Sequence, residues 1–141
     1  MKKAVAIFIL FCISSIIMSG CLADHSRPLT KVVTQVDISC ELENVTITRQ
    51  YTDTQKMEYV LLYLRLLKRK GKPDTDPDTL NKDIYQITVR FSDGSSRVYQ
   101  QKAHKYFSDR AGQWHMIDPA QAAGLYRLME KLPSDLPNQS L

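Results

Sequence analysis

Apolar residues keep to alternate positions through VVTQVDISCEL (32–42), so Val32, Val36, Ile38, Cys40 and Leu42 share one face while Lys31, Gln35, Asp37, Ser39 and Glu41 share the other. That two-residue period is the mark of a half-buried strand. Glu43 and Asn44 supply a turn, and VTITRQY (45–51) alternates again, which predicts a hairpin. The period then changes. In TDTQKMEYVLLYLRLLKRKG (52–71), Met57, Val60, Leu61, Leu64 and Leu67 make one helical stripe, and Tyr59, Leu62, Tyr63 and Leu66 make a second beside it. Thr52 and Gln55 have capping-box spacing, and basic residues followed by Gly71 close the segment. A helix this apolar needs cover on more than one face. Either it is the central core helix, or its Tyr-rich stripe stays partly open and binds a partner.

Two prolines and a run of polar residues make KPDTDPDTLNK (72–82) a loop. DIYQITVRF (83–91) is the best strand in the chain, with Tyr85, Ile87, Val89 and Phe91 on one face. Asp93-Gly94 is a strong hairpin signal, after which SRVYQQKAHKYF (96–107) returns as one strand and QWHMI (113–117) follows as another. Asp118 caps a last helix, with Pro119 at its first position and Gln121 completing a capping box. It runs to about Leu132 and buries Ala122, Leu125, Leu128 and Met129. The expected fold is therefore a single small α+β domain over residues 31–132 in the order ββαβββα, with two helices packed on one face of an antiparallel sheet. Residues 133–141 are expected to be a flexible tail.

The first thirty residues belong to none of this. Lys2 and Lys3 precede the uncharged apolar run AVAIFILFCISSIIM (4–18), and small residues Ser19 and Gly20 follow. A bilayer-spanning helix takes about 20 apolar residues, so this run is short for a permanent span. A positive start, an apolar middle and small residues at the end describe an export signal. Met18-Ser19-Gly20-Cys21 resembles the lipobox of bacterial lipoproteins, with Met18 where Leu is commoner.

That resemblance implies a diacylglyceryl group on the thiol of Cys21 and cleavage between Gly20 and Cys21. Residues 1–20 are then a removed signal peptide, and residues 21–30, polar and containing Pro28, are a tether. It implies a membrane lipoprotein of the cell envelope, anchored by diacylglyceryl and palmitate-type chains on the extracytoplasmic side. Leu22 stands where Asp would imply inner-membrane retention, so the address is the outer membrane of a Gram-negative owner or the outer leaflet of a Gram-positive one. A plain secretory signal and an uncleaved signal anchor are the alternatives. With Cys12 removed and Cys21 acylated, Cys40 is the one free thiol and no intramolecular disulfide forms.

Removing Lys2 and Lys3 lowers the formal net charge from +4 to +2, and the KRK at 68–70 is the sole basic block, closing a helix. Without a basic stripe, nucleic acid is not an expected partner. Asp74, Asp76 and Asp78 are spaced like the first ligands of a calcium loop, but Thr79 stands where the turn glycine belongs and Tyr85 where the bidentate glutamate belongs. The expected role of that segment is a solvated connection. His104 and His115 face each other if a four-residue loop (108–111) joins their strands, and lie on opposite faces if the loop has five. Two ligands fall short of the four of structural zinc, so neither metal nor cofactor is expected.

No nucleophile–base pair or acid–base set stands out, and catalysis is not expected. Tyr99, Tyr106, Phe107 and Trp114 cluster around the last hairpin, with Arg97, Lys102, Lys105 and Arg110 interleaved. They form either a binding edge for an envelope protein or polymer, or, for Tyr99, Phe107 and Trp114, core under the helices. With the helical tyrosines, the candidate partner surface is Tyr59, Tyr63, Tyr99, Tyr106 and Trp114. The leading expectation is a lipid-anchored, non-catalytic partner-binding module; the alternative is a small envelope enzyme or an inhibitor of one.

Overall fold

The computed structural model describes residues 31–42, 45–109 and 112–136. Cys21, Gly20 and the tether lie outside the described residues. The elements are β1 (Val33–Leu42), β2 (Val45–Tyr51), α1 (Thr54–Leu66), a 3₁₀ turn (Pro77–Thr79), β3 (Ile84–Phe91), β4 (Ser96–Lys102), β5 (Tyr106–Ser108), β6 (Trp114–Met116) and α2 (Pro119–Lys131). The strands form one six-stranded sheet in the order β2-β1-β3-β4-β5-β6, and every neighbouring pair is antiparallel. The domain is α+β, with the expected succession of strands and helices, and 96–107 divides into two strands rather than forming one.

The alternation in the sequence sets the two faces of the sheet. Val36 lies opposite Val89, Ile38 opposite Ile87 and Cys40 opposite Tyr85, so the apolar sides of β1 and β3 coincide. Met57 and Val60 of α1 and Leu125 and Met129 of α2 bury that face, so both helices sit on one side. A second cluster of Phe107, Ile117 and Ala122 extends the core toward β5. Burying an Ile or Leu side chain fully contributes about 1.5–3 kcal/mol. Both clusters and the apolar side chains packed on them come from residues between Val33 and Leu132, so this unit encloses its own core. The opposite face is polar over β1 and β3; Arg90 Nε there meets Asp37 Oδ2 at 3.0 Å.

Three boundaries differ from expectation. Helix α1 starts from Asp53, whose carboxylate accepts from Lys56 N–H, rather than from Thr52. It ends at Leu66, because residues 69–71 turn extended and pair with the free edge of β6: Lys70 N–H donates to Met116 O at 2.8 Å and Met116 N–H to Gly71 O at 2.9 Å. An otherwise bare strand edge outcompetes one more helical turn.

Gln121 does not complete a capping box at Asp118. Its amide reaches across instead, accepting from Lys68 N–H at 3.1 Å and donating to Leu66 O at 3.3 Å, which closes the end of α1. The expected tail is also shorter. Residues Pro133–Leu136 lie against the edge strand: Gln50 N–H donates to Ser134 Oγ at 3.0 Å, and Thr52 and Asp53 N–H donate to Asp135 Oδ2 at 2.8 and 2.9 Å.

Candidate functional site

The five aromatic residues expected to form a partner surface are dispersed over both sides of the sheet. Tyr99 stacks on Phe107 with ring centroids 5.9 Å apart, on the helix-covered face. Tyr63 turns inward from α1 and donates to Gln101 Oε1 at 2.5 Å, while Gln101 Nε2 donates to Ala122 O at 3.1 Å. Desolvation pushes the Tyr63 phenol well above its ordinary pKa. Gly124 of α2 faces this ring, and a Cβ there would stand in ordinary van der Waals contact at 3.5 Å from its edge.

Trp114 does not face the helices. Phe107 lies opposite His115, so the residues on either side of His115 point away from Phe107, and Tyr106 and Trp114 occupy the other face. The 72–82 loop covers them. Pro77 is buried, Trp114 Nε1 donates to Asp78 Oδ1 at 3.1 Å, Lys102 Nζ donates to Pro77 O at 3.2 Å, and Tyr106 and Lys105 both donate to Asp74. Asp76 caps the 3₁₀ turn by accepting from Asp78 N–H. The expected solvated connection is thus a fastened strap, and each carboxylate of the calcium-like spacing is engaged by a neighbour of its own.

His104 and His115 are not brought together. His104 sits in the turn between β4 and β5 at φ +49°, its ring edge-on to Tyr85 at 5.7 Å and its Nε2 3.6 Å from Asp83. Among the described residues no three His, Cys, Asp or Glu side chains gather as metal ligands. Cys40 is buried, and desolvation, the largest influence on it, raises its thiol pKa. It borders a small cavity of about 100 Å³ with Leu42, Ile47, Tyr85 and Met129. A neutral thiol in such surroundings is a poor nucleophile.

A groove of about 540 Å³ opens between the strap and Trp114 and His115, and the outward side of the helix pair is open as well. Tyr59 is 48% exposed, Leu62 45% and Leu66 60%, and their spacing of three and four residues aligns them along α1. A groove of about 420 Å³ runs beside Tyr59, walled by Gly124, Arg127, Leu128, Lys131 and Leu132 of α2 and its C-cap. On the other flank of α1, a groove of about 410 Å³ is lined by Arg65, Arg69, Arg97, Tyr99, Phe107 and Asp109, of which Asp109 pairs with Arg69.

No family model, no curated protein and no solved structure matches the chain. Of the expected surface only Tyr59 lies on the exposed ridge. Leu62 and Leu66, which complete it, belong to the same helical stripe, and the spacing that named Tyr59 and Tyr63 also contained them. Among the described residues no helix is long and apolar enough to cross a membrane.

Proposed function

We propose that this chain is a lipid-anchored protein of the bacterial cell envelope, and that residues 31–136 form a non-catalytic binding module held on the extracytoplasmic side. The observation that carries the anchor is Met18-Ser19-Gly20-Cys21 placed directly after a positively started apolar run. One acyl chain holds a protein marginally and two hold it firmly, which suits a diacylglyceryl group on Cys21. The binding role draws support from the exposed apolar ridge of α1, since large apolar side chains aligned on one surface favour an interaction face. Among the described residues, Cys40 is buried with its thiol pKa raised and the carboxylates of the strap are engaged internally, which favours binding over chemistry as the reading.

Metabolic labelling with a radioactive fatty acid in a bacterial host tests the anchor. The expected outcome is label on the full chain, none on Cys21→Ala, and accumulation of a lipid-modified precursor under globomycin. An unlabelled product secreted into the medium overturns the reading.

A further inference from the structure

The exposed side of the helix pair has the composition of a surface that meets phospholipid. Tyr59, Leu62 and Leu66 form the apolar ridge, and cations stand on both sides of it. Arg65 and Arg97 line the groove on one flank, and Arg127 and Lys131 line the groove on the other. Arg65, Arg127 and Lys131 have no ion-pair partner among the described residues, and Glu58 is the acid on the exposed side of α1. A helix lying in a membrane interface carries this pattern, with Leu and Tyr facing the acyl boundary and Arg and Lys reaching phosphate.

We propose that the α1–α2 face docks in the headgroup region of an anionic bilayer, the ridge entering the interface and the flanking cations binding lipid phosphate. The proposal rests on the lipoprotein reading for its setting. Lys31 follows Cys21 by ten residue steps, which span at most about 36 Å, so an anchored domain never leaves the neighbourhood of the headgroups. Tethering raises the effective concentration, so a face that binds membranes only moderately from bulk solution is almost fully occupied once anchored. Each basic residue near an anionic leaflet strengthens binding about fivefold.

The test uses chain from Lys31 onward, which encloses its own core and lacks Cys21, so its outcome is independent of lipidation. Sedimentation with vesicles of phosphatidylglycerol and phosphatidylcholine is compared with sedimentation with phosphatidylcholine alone. Binding is expected to favour the anionic vesicles by at least about tenfold, given several basic contacts. It is expected to fall to background in Leu62→Glu/Leu66→Glu and to lose its anionic preference in Arg127→Glu/Lys131→Glu. Val98→Glu, on the opposite face of the sheet, serves as the control and is expected to bind like the parent. Circular dichroism melts establish that each variant is folded, which is expected because every substituted side chain except Lys131, Arg127 and Val98 lies on the exposed ridge and those three are themselves exposed. No binding to the anionic vesicles, equal binding to both vesicles, or binding untouched by the ridge variant overturns the proposal. So does a dimer in sedimentation velocity that the ridge variant dissolves, since a second copy then covers the face.

Discussion

Asp135 shows how much one side chain beyond the last helix can do. It accepts from the backbone N–H of Thr52 and Asp53 and pairs with Lys56, so one carboxylate joins the end of the chain to the start of α1. These contacts, the Lys56 ammonium first, lower its pKa from the ordinary 3.8 to about 2. A depressed carboxylate binds fewer protons in the folded state, so its contribution is complete above the unfolded value and disappears as pH falls through the folded one. Stability should therefore decline between pH 3.8 and about 2 in the natural chain. Asp135→Asn should be less stable at neutral pH, with the difference from the parent shrinking to nothing toward pH 2. Urea midpoints of both proteins across that range measure it. A constant difference at all pH values would exclude this role for the carboxylate.

At the scale of elements, what was legible depended on whether local period and tertiary pairing agreed. In β1, β2 and β3 the two-residue alternation and the buried face are the same thing, so these strands can be read directly from the chain. Asp93-Gly94 likewise makes its turn, with Gly94 at φ +81° and Ser95 N–H donating to Asp93 Oδ1. The break between β4 and β5 was illegible because Ala103 and His104, at φ +53° and +49°, are neither Gly nor Asn. The end of α1 was illegible because Leu67–Lys70 are good helix formers drawn off by β6. The side taken by Trp114 depended on the parity of a loop, which composition does not encode.

A left-handed conformation at a residue with a Cβ costs about 1–2 kcal/mol, partly offset in glycine by its larger unfolded-state entropy. Ala103→Gly should thus stabilise the domain by up to about 1 kcal/mol, while a β-branched Ala103→Val should destabilise it by more than about 1 kcal/mol. Equilibrium urea unfolding checks both signs. If glycine destabilises and valine does not, the strain is absent.

At the scale of the domain, the described residues form a sheet with one face under two helices and the other partly under a strap, and the candidate membrane surface lies outside the helices rather than on the sheet. The pattern of apolar positions already contains that ridge, because Tyr59, Leu62 and Leu66 belong to the second helical stripe. Which part of that stripe stays open is a matter of where α2 lands, and it lands with Gly124 facing Tyr63 at the inner edge.

The central pairing of the sheet also has a consequence in time. Strands β3 to β6 are neighbours in sequence and can zip through short turns, but β1 meets β3 only after α1 and the strap have been traversed, Ile38 lying opposite Ile87. Contacts that close about fifty residues of chain are slow to form, because loop entropy is lost before the pairing compensates it. Capture of the β1–β2 hairpin by β3 should therefore limit the folding rate. Ile87→Val, expected to cost about 0.5–1.5 kcal/mol, should act mainly by slowing refolding, whereas a loss at Asp135 should act mainly by speeding unfolding. Stopped-flow chevrons separate the two, and an Ile87→Val effect confined to the unfolding limb would refute this order of events. The newly made hairpin meanwhile waits with the inner edge of β1 bare, so the chain's exposure to mispairing belongs to that interval and not to its folded state.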